Sequence, residues 1–101
     1  MTGSHMAALI RAAKGRWPTC YGTMFELREG EMCACGVGAA YCLDQGVAPH
    51  PSRDILAWAW ALGCDVPANH FVGAFDDALR EGHPDPFEAA ACAAEQWRPA
   101  K

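Results

Sequence analysis

Between residues 28 and 46 the chain reads REGEMCACGVGAAYCLDQG, which puts three of its six cysteines and four of its glycines into nineteen positions. Thiols at this density can hold a metal, exchange electrons, or fill space as small apolar groups. Zinc asks for about four thiolate or imidazole ligands converging on one point. Cys20, Cys33, Cys35 and His50 are the set that the spacing allows. Cys42 drops out, because a helix starting near Cys35 carries it about 10 Å along the axis. The paired C-x2-C knuckles of a zinc domain are missing. Redox chemistry prefers C-x-x-C at a helix N-terminus, where the dipole lowers the thiol pKa, and C-x-C fits that less well. The remaining role is packing, which suits Cys42, Cys64 and Cys92 among their apolar and alanine neighbours. No cofactor is expected, with zinc as the alternative. A Cys35→Ser change is expected to destabilise, since a buried hydroxyl must find a hydrogen bond.

The other reactive side chains do not assemble into a catalytic set. Asp76 and Asp77 are neighbours on one helix, so they point about 100° apart and cannot face each other across a substrate. Asp76 falls at the edge of the apolar stripe and suits a structural hydrogen bond. Asp77 turns to solvent and is a candidate contact residue. His50 and His83 each precede a proline, His70 opens a helix, and His5 lies near the start of the chain. No Ser-His-Asp arrangement is legible. Gly36 and Gly38 are not followed by the pattern of a phosphate-binding or dinucleotide-binding loop. The expectation leans away from an enzyme.

These residues must be positioned by helices. A chain of 101 residues, 51 % hydrophobic and 20 % charged, has the size and composition of one folded domain. About a fifth of it is alanine, which favours helix. Gly3-Ser4-His5-Met6 has the form of the scar of a cleaved expression tag, so residues 1–6 are set apart and the domain is expected over 7–101. The periodicity predicts a short helix over 7–15, then a hairpin of roughly 22–27 with 31–34 that turns at Gly30. A helix over 35–45 follows. It is apolar almost all round and therefore buried, with Gly46 as its C-cap. Gly36 and Gly38 cost that helix about 1 kcal/mol each, which suggests another backbone passing close by. After the stiff VAPHP linker, a helix runs from Ser52 to Gly63, with Ile55, Trp58, Ala59 and Leu62 on one face. Trp60 points away from that face and is the leading candidate for partner contact. A fourth helix ending at Glu81 carries Phe71, Val72, Phe75, Ala78 and Leu79 inward. Asp85 caps the last helix, with Pro86 at its first position and Phe87, Ala90, Ala91, Ala94 and Trp97 on its buried side. The predicted fold is mainly α: about five short helices around a buried Gly/Ala/Cys-rich helix, plus one small hairpin.

The order GRWPTCYG, MCACGVGAA, FDDA and the closing FEAAACAAEQW resembles a group of small uncharacterised domains from actinobacterial and phage genomes. On that resemblance Trp17, Gly22, Cys35, Gly38, Ala39, Phe75, Asp76 and Asp77 take the shared positions. CACGVGA carries an extra cysteine and glycine, and Asp76 stands where asparagine is commoner. The resemblance implies a mixed helical domain and supplies no activity. Trp17, Gly36, Gly38, Phe75 and Asp76 are read as structural.

The formal net charge of −4 and a pI near 5.4 disfavour nucleic acid, whose phosphates require a basic footprint. The acidic balance also disfavours a membrane surface, and no apolar run approaches the ~20 residues needed to span a bilayer. A full alanine-rich core without mini-protein character favours reduced thiols and a cytoplasmic location. The expected role is a small non-enzymatic interaction domain of phage or mobile-element type, binding another protein or a second copy of itself. The competing expectation is a cysteine-cluster metal domain or a small enzyme.

Overall fold

The structure, a computed structural model, describes residues 2–20, 25–51, 57–58, 61, 63 and 65–98. These form α1 (Gly3–Ala13), β1 (Phe25–Arg28), β2 (Glu31–Ala34), α2 (Gly36–Gln45), α3 (Ala68–Arg80) and α4 (Pro86–Gln96). The class is mainly α with one two-stranded antiparallel hairpin, as the sequence predicts. Four helices lie among the described residues. The predicted helix from Ser52 to Gly63 falls mostly outside them, and so do Trp60 and Cys64.

The helix α1 starts earlier than the periodicity suggests. Thr2 caps it, its side chain accepting from the His5 N–H at 3.1 Å. Met6, Ala7, Ile10 and Ala13 recur at helical spacing and are all fully buried. Residues 3–6, set apart in the sequence reading, are therefore the first turn of α1, and Met6 belongs to the core. The resemblance of Gly-Ser-His-Met to a tag scar hides this, because Met6 continues the Ile10 and Ala13 stripe backwards by one turn. Gly3 lies so close to α4 that a Cβ there would run into the Ala94 carbonyl oxygen.

The hairpin is built on a two-residue turn. Glu29 and Gly30 both have positive φ, 49° and 82°, the combination that matches strand twist in a type I′ turn. The register pairs Phe25 with Ala34, Glu26 with Cys33, Leu27 with Met32 and Arg28 with Glu31. The first strand thus begins at Phe25 and ends at Arg28, slightly later than predicted. On the other side of β2, Thr19 forms a parallel bridge to Ala34. Cys20 N–H donates to the Ala34 carbonyl at 3.3 Å, and Ala34 N–H donates to the Pro18 carbonyl at 2.8 Å. This arrangement places β2 in the middle and leaves β1 at the edge.

The central element is α2, which touches α1, α3, α4 and β2. Gly36, Val37, Gly38, Ala39, Ala40 and Cys42 are all buried, in accord with its lack of a polar face. Trp58 closes one end of it, donating from Nε1 to Asp44 Oδ2 at 2.8 Å and standing edge-on to Tyr41 at 5.4 Å. From α3, Phe71, Phe75 and Ala78 are buried, while Val72 and Leu79 are half-buried. The last turn of α3 closes with a Schellman motif: His83 N–H donates to Ala78 and Gly82 N–H to Leu79, with Gly82 at φ 75°. Asp85 then caps α4, accepting from Glu88 N–H at 3.1 Å, and Pro86 occupies the first helical position. Phe87, Ala90, Ala91 and Ala94 face inward as predicted, whereas Trp97 sits beyond the helix end and is half-buried.

Candidate functional site

The cysteines resolve into three different situations. Cys35 is the N-cap of α2, its Sγ accepting from Gly38 N–H at 3.3 Å. Burial pushes its thiol pKa up, although the Gly38 and Val37 N–H groups pull it down. Cys20 and Cys33 lie on the strand segments beside it and are also buried. Burial, helped by the proximity of Cys35 and Cys33, pushes the Cys20 thiol up to about 11. A raised pKa holds the Cys20 and Cys35 thiols toward the protonated form, which makes them poor nucleophiles. Among the described residues no three His, Cys, Asp or Glu side chains are placed to hold a metal ion, and His50 is an exposed residue of the linker.

The cap at Cys35 reverses one expectation. Serine is a preferred N-cap, and the Gly38 N–H supplies the hydrogen bond that a buried hydroxyl needs. Cys35→Ser should therefore stay within about 1 kcal/mol of the parent, while Cys35→Ala, which leaves that N–H unpaired, should lose about 1 kcal/mol. Chemical denaturation of both variants checks this. A serine variant weaker than the alanine variant would remove the cap from the explanation.

Cys92 is not the buried hydrophobe expected from its alanine neighbours. It is half-buried between Arg11 and Glu88, and its thiol donates to Glu88 Oε1 at 3.4 Å. Arg11 makes a two-pronged contact with Glu88, at 2.9 and 2.8 Å, and reaches Glu95 at 2.9 Å with Nη1. Lys14 pairs with Asp85 one turn away. The polar side of α1 is thus laced to α4. Hydrogen bonding to Glu88 and then Glu95 raises the Arg11 pKa, and Arg11, together with the Cys92 thiol, pulls Glu88 down to about 2. Glu95 is lowered by Arg11, and Asp85 by Lys14. Hydrogen bonding to Glu88, and then burial, raises the Cys92 thiol.

A carboxylate whose folded pKa lies below its unfolded value of 4.5 contributes stability that is whole above that pH. The contribution drains away as pH falls toward about 2. The thermal midpoint should thus fall across this window, and Arg11→Gln should flatten the fall while lowering the neutral-pH midpoint only modestly, because these pairs are half-exposed. Parallel slopes for parent and variant in melts from neutral to acid pH would show that the Arg11 pairs do not set the acid response.

The remaining predicted residues are spread over the fold. Trp17 is half-buried against the core, and Phe75 lies in the core itself. Asp76 is half-buried. Asp77 is exposed and pairs with Arg80 one turn along α3 at 3.0 Å. Gly36 meets the Phe75 ring, not a backbone as expected: a Cβ there would lie 2.6 and 2.7 Å from two ring carbons. Gly38 is buried and serves the Cys35 cap. Among the described residues, Asp76 and Asp77 thus sit on α3, a different element from the strand β2 and the α2 cap that carry Cys33 and Cys35.

Two surface features emerge that the sequence reading does not single out. An open groove of about 500 Å³ lies where α1 begins and α4 ends, lined by Thr2, Val66, Trp97 and Arg98 among others. Two of its polar side chains are already engaged: Thr2 caps α1, and Arg98 donates to the Glu95 and Trp97 carbonyls. The second feature is Leu27 on β1, which is 64 % exposed and is the one exposed large hydrophobic among the described residues. Its signal was present in the sequence as a leucine between two charges, FELR, but one-sided burial of a short hairpin cannot be read without knowing what covers it. No helix among the described residues is long and apolar enough to cross a membrane. No protein-family model, curated protein or solved structure matches this chain.

Proposed function

We propose that this chain is a small non-enzymatic interaction domain, cytoplasmic and of phage or mobile-element type, which acts by binding a protein. The observation that carries the reading is Leu27, an exposed leucine on the outer strand of a hairpin whose other side is already paired. A sheet edge with unpaired backbone groups and an apolar side chain is a template for strand addition. The state of the thiols supports the non-enzymatic part, since Cys20, Cys35 and Cys92 are all held toward the protonated form. Affinity co-purification from the native host, with the parent and with Leu27→Lys, tests it. A partner retained by the parent and lost by the variant, at an unchanged thermal midpoint, is the expected result. Metal analysis addresses the competing zinc reading on Cys20, Cys33, Cys35 and His50. The interaction reading expects zinc far below one equivalent, and a near-stoichiometric content would overturn the packing role of these cysteines.

A further inference from the structure

We infer that the partner recognised by the β1 edge is a second copy of this chain, joined through antiparallel pairing of β1 with β1 about Leu27; this rests on the reading of that edge as a contact surface. In a two-residue hairpin the pair flanking the turn, Arg28 and Glu31, exchanges both backbone bonds, and the pattern alternates along the ladder. Glu26 and Arg28 therefore bond inward to β2, and Leu27 directs its N–H and C=O outward. Among the described residues no strand pairs with that side. The opposite side of β2 is taken at Ala34 by the bridge from Thr19, so β1 is the edge on which the sheet can grow.

The side chains specify which strand fits. Charges on an edge ordinarily discourage pairing. Here the order is Glu26-Leu27-Arg28, with Glu26 and Arg28 on one face, already in contact at 2.8 Å. Antiparallel pairing centred on Leu27 sets Glu26 opposite Arg28 of the other copy and Arg28 opposite its Glu26, so the two ion pairs close into a ladder of alternating sign. On the other face the two Leu27 side chains meet, each beside its own Met32. Leu27 would exchange both of its outward backbone bonds with its twin, as the directly opposed residue of a narrow pair does. A strand shifted by one residue sets Glu26 opposite Leu27 and loses the match. The edge is self-complementary in charge, in apolar contact and in backbone polarity, all about one two-fold axis. Four residues per strand make this a weak, concentration-driven dimer.

Sedimentation of the full chain from about 10 μM to about 1 mM reads the association. The parent should shift from monomer toward dimer over this range. Arg28→Glu, which sets like charges opposite each other twice, should weaken dimerisation about ten-fold or more, and so should Glu26→Arg. Mixing those two variants should restore a dimer, because each supplies the charge that the other lacks, and the double exchange Glu26→Arg with Arg28→Glu should dimerise like the parent. Melting curves establish that every variant is folded. Protection of the Leu27 amide against hydrogen exchange should rise with protein concentration. A parent that stays monomeric at the highest concentration, or a dimer indifferent to both reversals, overturns self-pairing. A monomeric parent that still captures a protein through Leu27 sinks self-pairing alone, whereas the absence of both sinks the interaction reading with it.

Discussion

Gly36→Ala should destabilise the protein by about 1–3 kcal/mol, although alanine is the better helix former. The reason lies across the core. An alanine Cβ at this position would enter the Phe75 ring at 2.6 and 2.7 Å, closer than carbon atoms can approach. The ring cannot swing aside easily, because Phe75 is fully buried and meets Phe87 edge-on at 5.3 Å. Helix propensity returns at most about 1 kcal/mol, so overpacking wins. In a domain of this size the thermal midpoint should drop by about 5–20 °C. The informative companion is Gly36→Ala with Phe75→Leu, which should be more stable than the sum of the two single changes predicts. A Gly36→Ala variant as stable as the parent would show that the ring and the α2 backbone are not in this contact.

Met6→Ala should cost more, about 2–5 kcal/mol, as expected for a fully buried side chain whose removal leaves a void. Met6→Leu, which keeps the volume, should cost less than about 1.5 kcal/mol. Removing residues 1–6 should be at least as harmful as Met6→Ala, since it also takes the Thr2 cap and the close contact of Gly3 with Ala94. Urea unfolding of the three variants orders them. If the truncated chain unfolds at the parental midpoint, α1 does not need its first turn and Met6 is not part of the cooperative core.

What could be read in advance was local. Gly82 after an apolar stripe, Asp85 before Pro86, and Gly46 after Gln45 each mark a helix end by chemistry that acts within a few residues, and all three ends are where that chemistry puts them. The inward faces of α3 and α4 followed from spacing alone, at Phe71, Phe75, Phe87 and Ala90. What escaped was long-range. That Gly36 makes room for a ring thirty-nine positions later, or that Arg11 is held by Glu88 and Glu95, depends on which faces meet, and periodicity is silent about that. Cys35 was legible as buried but not as a cap, because the residue before a helix is judged by its type and cysteine is not a usual cap. The exposure of Leu27 belongs with these: FELR shows a leucine between two charges, but whether anything covers it depends on which element packs over the hairpin.

The docking of α1 on α4 also fixes an order of events during synthesis. Residues 14–85 intervene between these helices, and the apolar stripe of α1 rests mainly on α4. A chain emerging from the ribosome presents Met6 and Ile10 well before it makes their cover on α4. Until Phe87, Ala90 and Ala94 have cleared the exit tunnel, α1 is a nascent amphipathic segment with no native surface to rest on. The hairpin and α2 can form before then, but closure of α1 on α4 must wait for Pro86–Gln96 and spans the intervening residues 14–85. Stalled or prematurely ended chains would thus display the α1 stripe uncovered, a feature by which a chaperone could tell an incomplete copy from a finished one.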